Sequence, residues 1–148
     1  MRNKAILLVE DNESDVELTK RAFKKSRISN PLVVVRNGRE ACDYLFGTGM
    51  YFERSVADLP ALILLDLKLP VMSGLDVLRR IRADPRTRAA IVIVLTSSDA
   101  APDISAAYDI GVNSFLRKPV DYEKFSALVE QVGLYWLITN IGPPSDYP

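Results

Sequence analysis

The 148-residue sequence predicts an α/β fold, a doubly wound parallel sheet of five strands in one domain. Two observations carry this. Five short apolar runs have the length and branching of strands buried on both faces. Between them the apolar residues repeat at helical spacing, so right-handed crossovers join successive strands and cover both sides of the sheet.

The first run, AILLV at 5–9, leads into a helix marked by Leu18, Ala22 and Phe23. The second, LVVV at 32–35, stops at the Asn37-Gly38 break, after which GREACDYLF resumes as a short helix. GTGMYFERSVADLP, at 47–60, is the one long connection and reads as an ordered surface loop. The third run, LILL at 62–65, ends on Asp66 and turns through Pro70 and Gly74 into a helix carrying Leu75, Leu78 and Ile81. IVIVL at 91–95 precedes a helix with Ile104, Ala107 and Tyr108 on its inner face. After SFL at 114–116, Phe125, Leu128, Val129 and Val132 fall at i, i+3, i+4 and i+7 behind an N-cap at Asp121.

Composition narrows the function classes. Nineteen Lys plus Arg balance nineteen Asp plus Glu, so no net field recommends nucleic acid or an anionic membrane as a partner. The single Cys42 excludes an internal disulfide and a Cys-based zinc site, which fits a cytoplasmic, reducing location; in EACDYL it reads as helix packing. AILLV is too short and too quickly followed by acids for a signal peptide, and no segment is long enough to span a bilayer. Partners must therefore be sought at specific sites.

In a parallel sheet of this kind functional groups gather where the strands end. The first strand ends in Glu10 and Asp11, the third in Asp66, the fourth in Thr96 and Ser97, and the fifth in Lys118. Two unit charges about 4 Å apart repel by roughly 4 kcal/mol at an effective dielectric near 20, so three acids need a cation among them. Lys118 can neutralise one. The remainder suits Mg²⁺, a hard ion that takes one or two carboxylates and brings phosphate oxygens to its open positions. A hydroxyl at Thr96 and the ammonium of Lys118 can then contact the phosphate, which describes a phosphoryl-transfer site.

The stretches LLVEDNESD, LILLDLKLPVMSG, VLTSSD and FLRKP, in that order, resemble the successive motifs of the receiver domain of two-component response regulators, over about residues 4–136. The resemblance implies a flavodoxin-like receiver fold with strand order 2-1-3-4-5. It implies that Asp66 is the phosphoacceptor, a carboxylate nucleophile that takes its phosphoryl group from a sensor histidine kinase. Mg²⁺, for which Mn²⁺ can substitute, would be held by Glu10, Asp11, Asp66 and the Lys68 backbone carbonyl. Thr96 and Lys118 would contact the phosphoryl group, and Thr96 with Phe115 would form the conformational switch. Phe115 lacks the hydroxyl of the Tyr usual there, so the outward, hydrogen-bonded rotamer is not available in its usual form. Lys68 and Ser98 would flank the path of the hydrolytic water and tune dephosphorylation. A cis bond between Lys118 and Pro119 is also implied.

The chain has no histidine, so the phosphoryl donor must be a separate protein or a small acyl phosphate. Such a module would catalyse its own phosphorylation and dephosphorylation. A receiver-like docking protein that is never phosphorylated is the competing reading, but such proteins typically lose an acid or the lysine. A flavin site is disfavoured because EDNESD would repel phosphate, and an aspartyl phosphatase because Lys68 stands where a second Asp is common.

The expected organisation is a receiver domain at 1–136 and a tail or dimerisation arm at 137–148, with no output domain, because LITNIGPPSDYP is too short for a DNA-binding module. Output would then be protein contact. The 47–60 loop together with LYWLITNIGPP resembles the subgroup that partners phytochrome-type light-sensing kinases. GLYWLI sets Leu134, Tyr135, Trp136, Leu137 and Ile138 in succession, about 100° apart on a helix, so one domain cannot cover all five. The expectation is a homodimer in which Ile141 and Pro143-Pro144 reach across the partner; the alternative is a tail that folds back on its own domain.

Overall fold

In a computed structural model, which describes residues 4–144, the five apolar runs form the strands β1 (Ile6–Val9), β2 (Leu32–Val35), β3 (Leu62–Leu65), β4 (Val92–Thr96) and β5 (Ser114–Arg117). All neighbours pair in parallel, in the order β2-β1-β3-β4-β5. The central strands β1, β3 and β4 are buried along their whole length, and the edge strands β2 and β5 only in part. This is why the central runs are unbroken apolar sequence while β5 carries Ser114 and Arg117.

The crossovers are α1 (Glu13–Lys25), α2 (Gly38–Phe46), α3 (Gly74–Ala83), α4 (Ala101–Ile110) and α5 (Tyr122–Leu134). Side chains of Asn12, Asn37, Ser73 and Asp121 cap α1, α2, α3 and α5 by accepting from the backbone N–H three residues on. Alternate strand residues face opposite layers. Ile6, Leu8, Leu62, Leu64, Ile93 and Leu95 pack against Val16 and Phe23 of α1 and Phe125, Val129 and Val132 of α5. Leu7, Val9, Ile63, Leu65, Val92 and Val94 face α2, α3 and α4.

The loop at 47–60 is ordered, with a 3₁₀ turn at Gly49–Tyr51. The Arg54 guanidinium holds it by donating to the carbonyls of Tyr44 and Asp58 and by stacking 3.9 Å over the Tyr44 ring. The helix α4 departs from expectation: Ala107 is its one buried residue, and Tyr108 is exposed rather than turned inward. A helix beside an edge strand has little sheet to cover, so a narrow apolar stripe suffices.

The expected boundary at residue 136 falls inside a helical run, because α5 continues into a π-helical turn at Tyr135–Thr139. Trp136 and Leu137 are half-buried against the α1–α5 layer, whereas Leu134, Tyr135, Ile138 and Ile141 remain exposed. Gly142, Pro143 and Pro144, all exposed, form one side of a groove whose other walls include Pro60, Ala61 and Ile91, at the end of the sheet opposite the strand-end acids. Residues 145–148 of the expected arm lie outside the described residues. No described peptide bond is cis, so the cis Lys118–Pro119 bond is not found; trans is the lower-energy isomer before proline by about 0.5–1 kcal/mol.

Candidate functional site

Strand register decides which acids meet. Val9 of β1 pairs with Leu65 of β3, so Glu10 and Asp66 leave the sheet side by side. They are fixed there by the Asp66 N–H donating to the Val9 carbonyl at 3.1 Å and the Glu10 N–H donating to the Val35 carbonyl at 3.0 Å. Thr96 pairs with Arg117, and the next N–H of β5, that of Lys118, donates to the Thr96 carbonyl at 2.7 Å. Every strand-end group of the sequence reading thus reaches one edge.

The turn after β3 is tight. A Cβ at Gly74 would collide with the Asp66 carbonyl, so glycine there lets α3 start directly behind the nucleophile candidate. Val71 takes a φ of 71°, a left-handed conformation unusual for a β-branched residue, and so turns the chain back after Pro70. The Lys68 N–H donates to Asp66 Oδ1 at 3.3 Å.

Glu10 and Asp66 are 3% and 7% exposed, while Asp11 is open to solvent. One carboxylate oxygen from each of Glu10, Asp11 and Asp66 lies within 4.8 Å of the others. Such an all-oxygen set, part buried and part open, fits a hard divalent ion that keeps some of its water. The cleft above it is lined by Asn12, Asp15, Lys68, Ser97 and Lys118 as well as the three acids.

The ammonium of Lys118 is the hub. It lies 2.5 Å from Glu10 Oε1, 2.9 Å from Asp15 Oδ2 and 3.1 Å from Asp66 Oδ2. An ammonium has three donors, and each has a carboxylate. Burial pushes the Glu10 carboxyl up to about 7, with a further push from the Asp66 charge, although the hydrogen bond and charge of Lys118 pull the other way. Burial works to lower the pKa of Lys118, but hydrogen bonds to Asp15 and Glu10, with the Asp66 charge, outweigh it and hold the ammonium above its ordinary range. Lys118 therefore stays charged across physiological pH.

Sequence reading let Lys118 neutralise one acid; the fold gives it three, and Asp15 was not among the expected residues. Asp15 sits three residues after the Asn12 cap, donating its N–H to Asn12 Oδ1 at 3.0 Å. Acids are favourable anywhere in a first helical turn, so in sequence it reads as a helix-dipole residue.

Three expected residues lie behind the cleft rather than in it. Thr96 is fully buried, and its Oγ1 accepts from the Ser98 N–H at 3.4 Å. Ser98 is buried too, donating to Asp103 Oδ2 at 2.6 Å and accepting from the Ala100 N–H at 3.4 Å. It ties down the start of α4, and Ser97 takes the place at the cleft. Phe115 is half-buried against the layer formed by α2, α3 and α4.

The response regulator receiver domain family matches residues 6–130. The chain is 40% identical to the "Probable methanogenesis regulatory protein FilR2" of Methanothrix harundinacea, over 93% of this chain and 86% of that one. It is 38% identical to "Response regulator Rcp1" of Synechocystis sp., over 92% and 90% of the two chains. A crystal structure of the Mn²⁺-bound form of Rcp1 superposes with a TM-score of 0.88 at 35% identity, covering 95% of this chain and 99% of that one. The phosphorylated cyanobacterial phytochrome response regulator RcpA superposes with a TM-score of 0.89 at 37% identity, covering 97% and 100%.

Proposed function

The chain belongs to the response regulator receiver family, and from that premise we propose that Asp66 accepts a phosphoryl group from the phosphohistidine of a sensor histidine kinase. The observation that carries this is the Lys118 ammonium set between Glu10 and Asp66, beside three carboxylate oxygens grouped within 4.8 Å. An Asp66 oxygen attacks phosphorus as the P–N bond breaks. The bonding pair returns to the imidazole, which leaves neutral when its second nitrogen carries a proton.

Glu10, Asp11, Asp66 and the Lys68 backbone carbonyl would hold Mg²⁺, or Mn²⁺ in its place. When bound, the ion supplies positive charge to the phosphoryl oxygens in the transition state. The Mn²⁺-bound form of Rcp1 supports this reading. Lys118 gives an N–H to a phosphoryl oxygen, and the Thr96 hydroxyl turns from the Ser98 N–H to donate to another. Phe115 follows into the space that Thr96 vacates, which carries the signal to the outer face of α4, β5 and α5. Lys68, at the cleft mouth, governs access of the hydrolytic water. Ser98, tied to Asp103, acts through α4 instead.

Likeness to RcpA, a phytochrome response regulator, supports a phytochrome-type kinase as the donor. The exposed Leu134, Tyr135, Ile138 and Ile141 support a homodimer through the C-terminal segment, with signalling by protein contact. The test is Asp66→Asn, which keeps size and removes the nucleophile. It should fold yet take no label at this position from a cognate kinase or a small acyl phosphate with Mg²⁺. Labelling at the normal rate would sink the assignment.

A further inference from the structure

We propose that Asp15 is a positioning residue for Lys118: its carboxylate holds one N–H of the ammonium throughout the phosphorylation cycle and so directs the others at the phosphoryl group. The inference rests on the reading of Asp66 as phosphoacceptor. Of the three carboxylates around Lys118, Glu10 and Asp66 also belong to the cluster of oxygens with Asp11, and Asp15 does not. A divalent ion drawing on that cluster would compete with Lys118 for Glu10 and Asp66. Asp15 is the one partner it leaves alone. Lysine has a flexible four-carbon stem and loses its direction when its partners do.

Asp15 is itself well held. Its N–H donates to Asn12 Oδ1 at 3.0 Å, and its carbonyl accepts from Thr19 Oγ1 at 2.7 Å. Its neighbour Val16 is fully buried in the α1–α5 layer, which anchors this turn of α1 to the sheet. The contact is also sheltered, with the Lys118 side chain 10% and the Asp15 side chain 23% exposed, so it is not one of the solvent-washed ion pairs that hold nothing in place. Asp15 carries a charge within reach of Lys118 from a different element, α1, while Lys118 is delivered by β5. Lys118 is thus held at its ammonium by an element other than the strand that leads into it.

The test combines Asp15→Ala and Asp15→Asn with Lys118→Met. Asp15→Ala should slow phosphorylation of Asp66 by acetyl phosphate about tenfold, the scale of effect expected from a misaligned catalytic group. Asp15→Asn, whose amide oxygen still accepts a hydrogen bond, should recover most of that rate. The Mg²⁺ Kd, measured by calorimetry, should move by less than about threefold, since Asp15 acts on the lysine and not on the metal. In Lys118→Met the further change Asp15→Ala should alter the rate no more. In protein saturated with Mg²⁺, where the ion competes for Glu10 and Asp66, the Lys118 ammonium signal in heteronuclear NMR should persist in wild type and Asp15→Asn and vanish by solvent exchange in Asp15→Ala. A wild-type rate in Asp15→Ala, a tenfold change in Mg²⁺ Kd, or a loss that persists in Lys118→Met would overturn the proposal. Absence of label at Asp66 in wild type would instead overturn the phosphoacceptor reading, and the NMR arm would still decide the role of Asp15.

Discussion

Glu10 pays for its position with burial. Its carboxyl is raised from an ordinary 4.5 to about 7, so near neutral pH part of the metal-free protein holds a proton there, one that a bound Mg²⁺ would have to displace. The sign follows directly: below about 7 Glu10 is protonated and a poor ligand, and above it the ligand is ready. Mg²⁺ affinity should therefore climb between pH 5 and pH 7, approaching tenfold per unit if one proton is released, and level off above. Calorimetry in buffers of different ionisation enthalpy measures that proton. The same shift makes Glu10 a cost to metal-free stability as pH rises from 4.5 through about 7, because the unfolded chain ionises first. At the cleft mouth Lys68 is exposed, and its backbone N–H donates to Asp66 Oδ1. Lys68→Ala should speed hydrolysis of the acyl phosphate several-fold by opening the water path. Its melting curve should shift by no more than about 0.5 kcal/mol, as for most surface changes. Unchanged hydrolysis would assign Lys68 to solvent.

Among the five α-helices, α4 is the least committed to the core. It buries Ala107 alone and lacks a side-chain cap of its own. Two outside contacts compensate. At its start Ser98 donates to Asp103 and accepts from the Ala100 N–H. At its end Arg82 of α3 donates to the Gly111 carbonyl at 2.7 Å and to Asn113 Oδ1 at 2.8 Å, binding the α4–β5 connection to α3. A helix held at both ends and loosely packed between them can shift as a unit, as the proposed movement of Thr96 requires. Ser98→Ala should accordingly lower stability by about 1 kcal/mol, the usual net worth of a hydrogen bond. Amide exchange should quicken over α4 while the rate of phosphorylation stays within about twofold, since the hydroxyl lies outside the cleft. A large change in hydrolysis with α4 protection unaltered would return Ser98 to the water path.

The two ends of the sheet differ in what they carry. The strand-end acids open at one edge of the sheet, and the tail runs to the other, where the exposed Gly142 to Pro144 line a groove together with the chain's own Pro60 and Ile91. Trp136 and Leu137 pack on the core, which removes two of the five apolar positions from any interface. Leu134, Tyr135 and Ile138, at helical i, i+1 and i+4, keep one exposed face. Leu134→Glu with Ile138→Glu should dissociate a homodimer in sedimentation without opening a cavity, and leave labelling of Asp66 intact. A monomeric wild type at high concentration, in both phosphorylation states, would remove the dimer from the account. The sequence by itself determined the order and kind of the elements, because buried parallel strands must be continuous apolar runs and their covering helices must be amphipathic. It also determined that Glu10, Asp11, Asp66 and Lys118 share one edge, because every parallel strand ends there. Tertiary structure alone decided the rest. Whether Asp15 joins Lys118, 103 residues away, whether Ser97 or Ser98 faces the cleft, and which of the tail's apolar residues are covered all depend on side-chain direction. That direction is set by packing between elements distant in the chain, and no local periodicity records it.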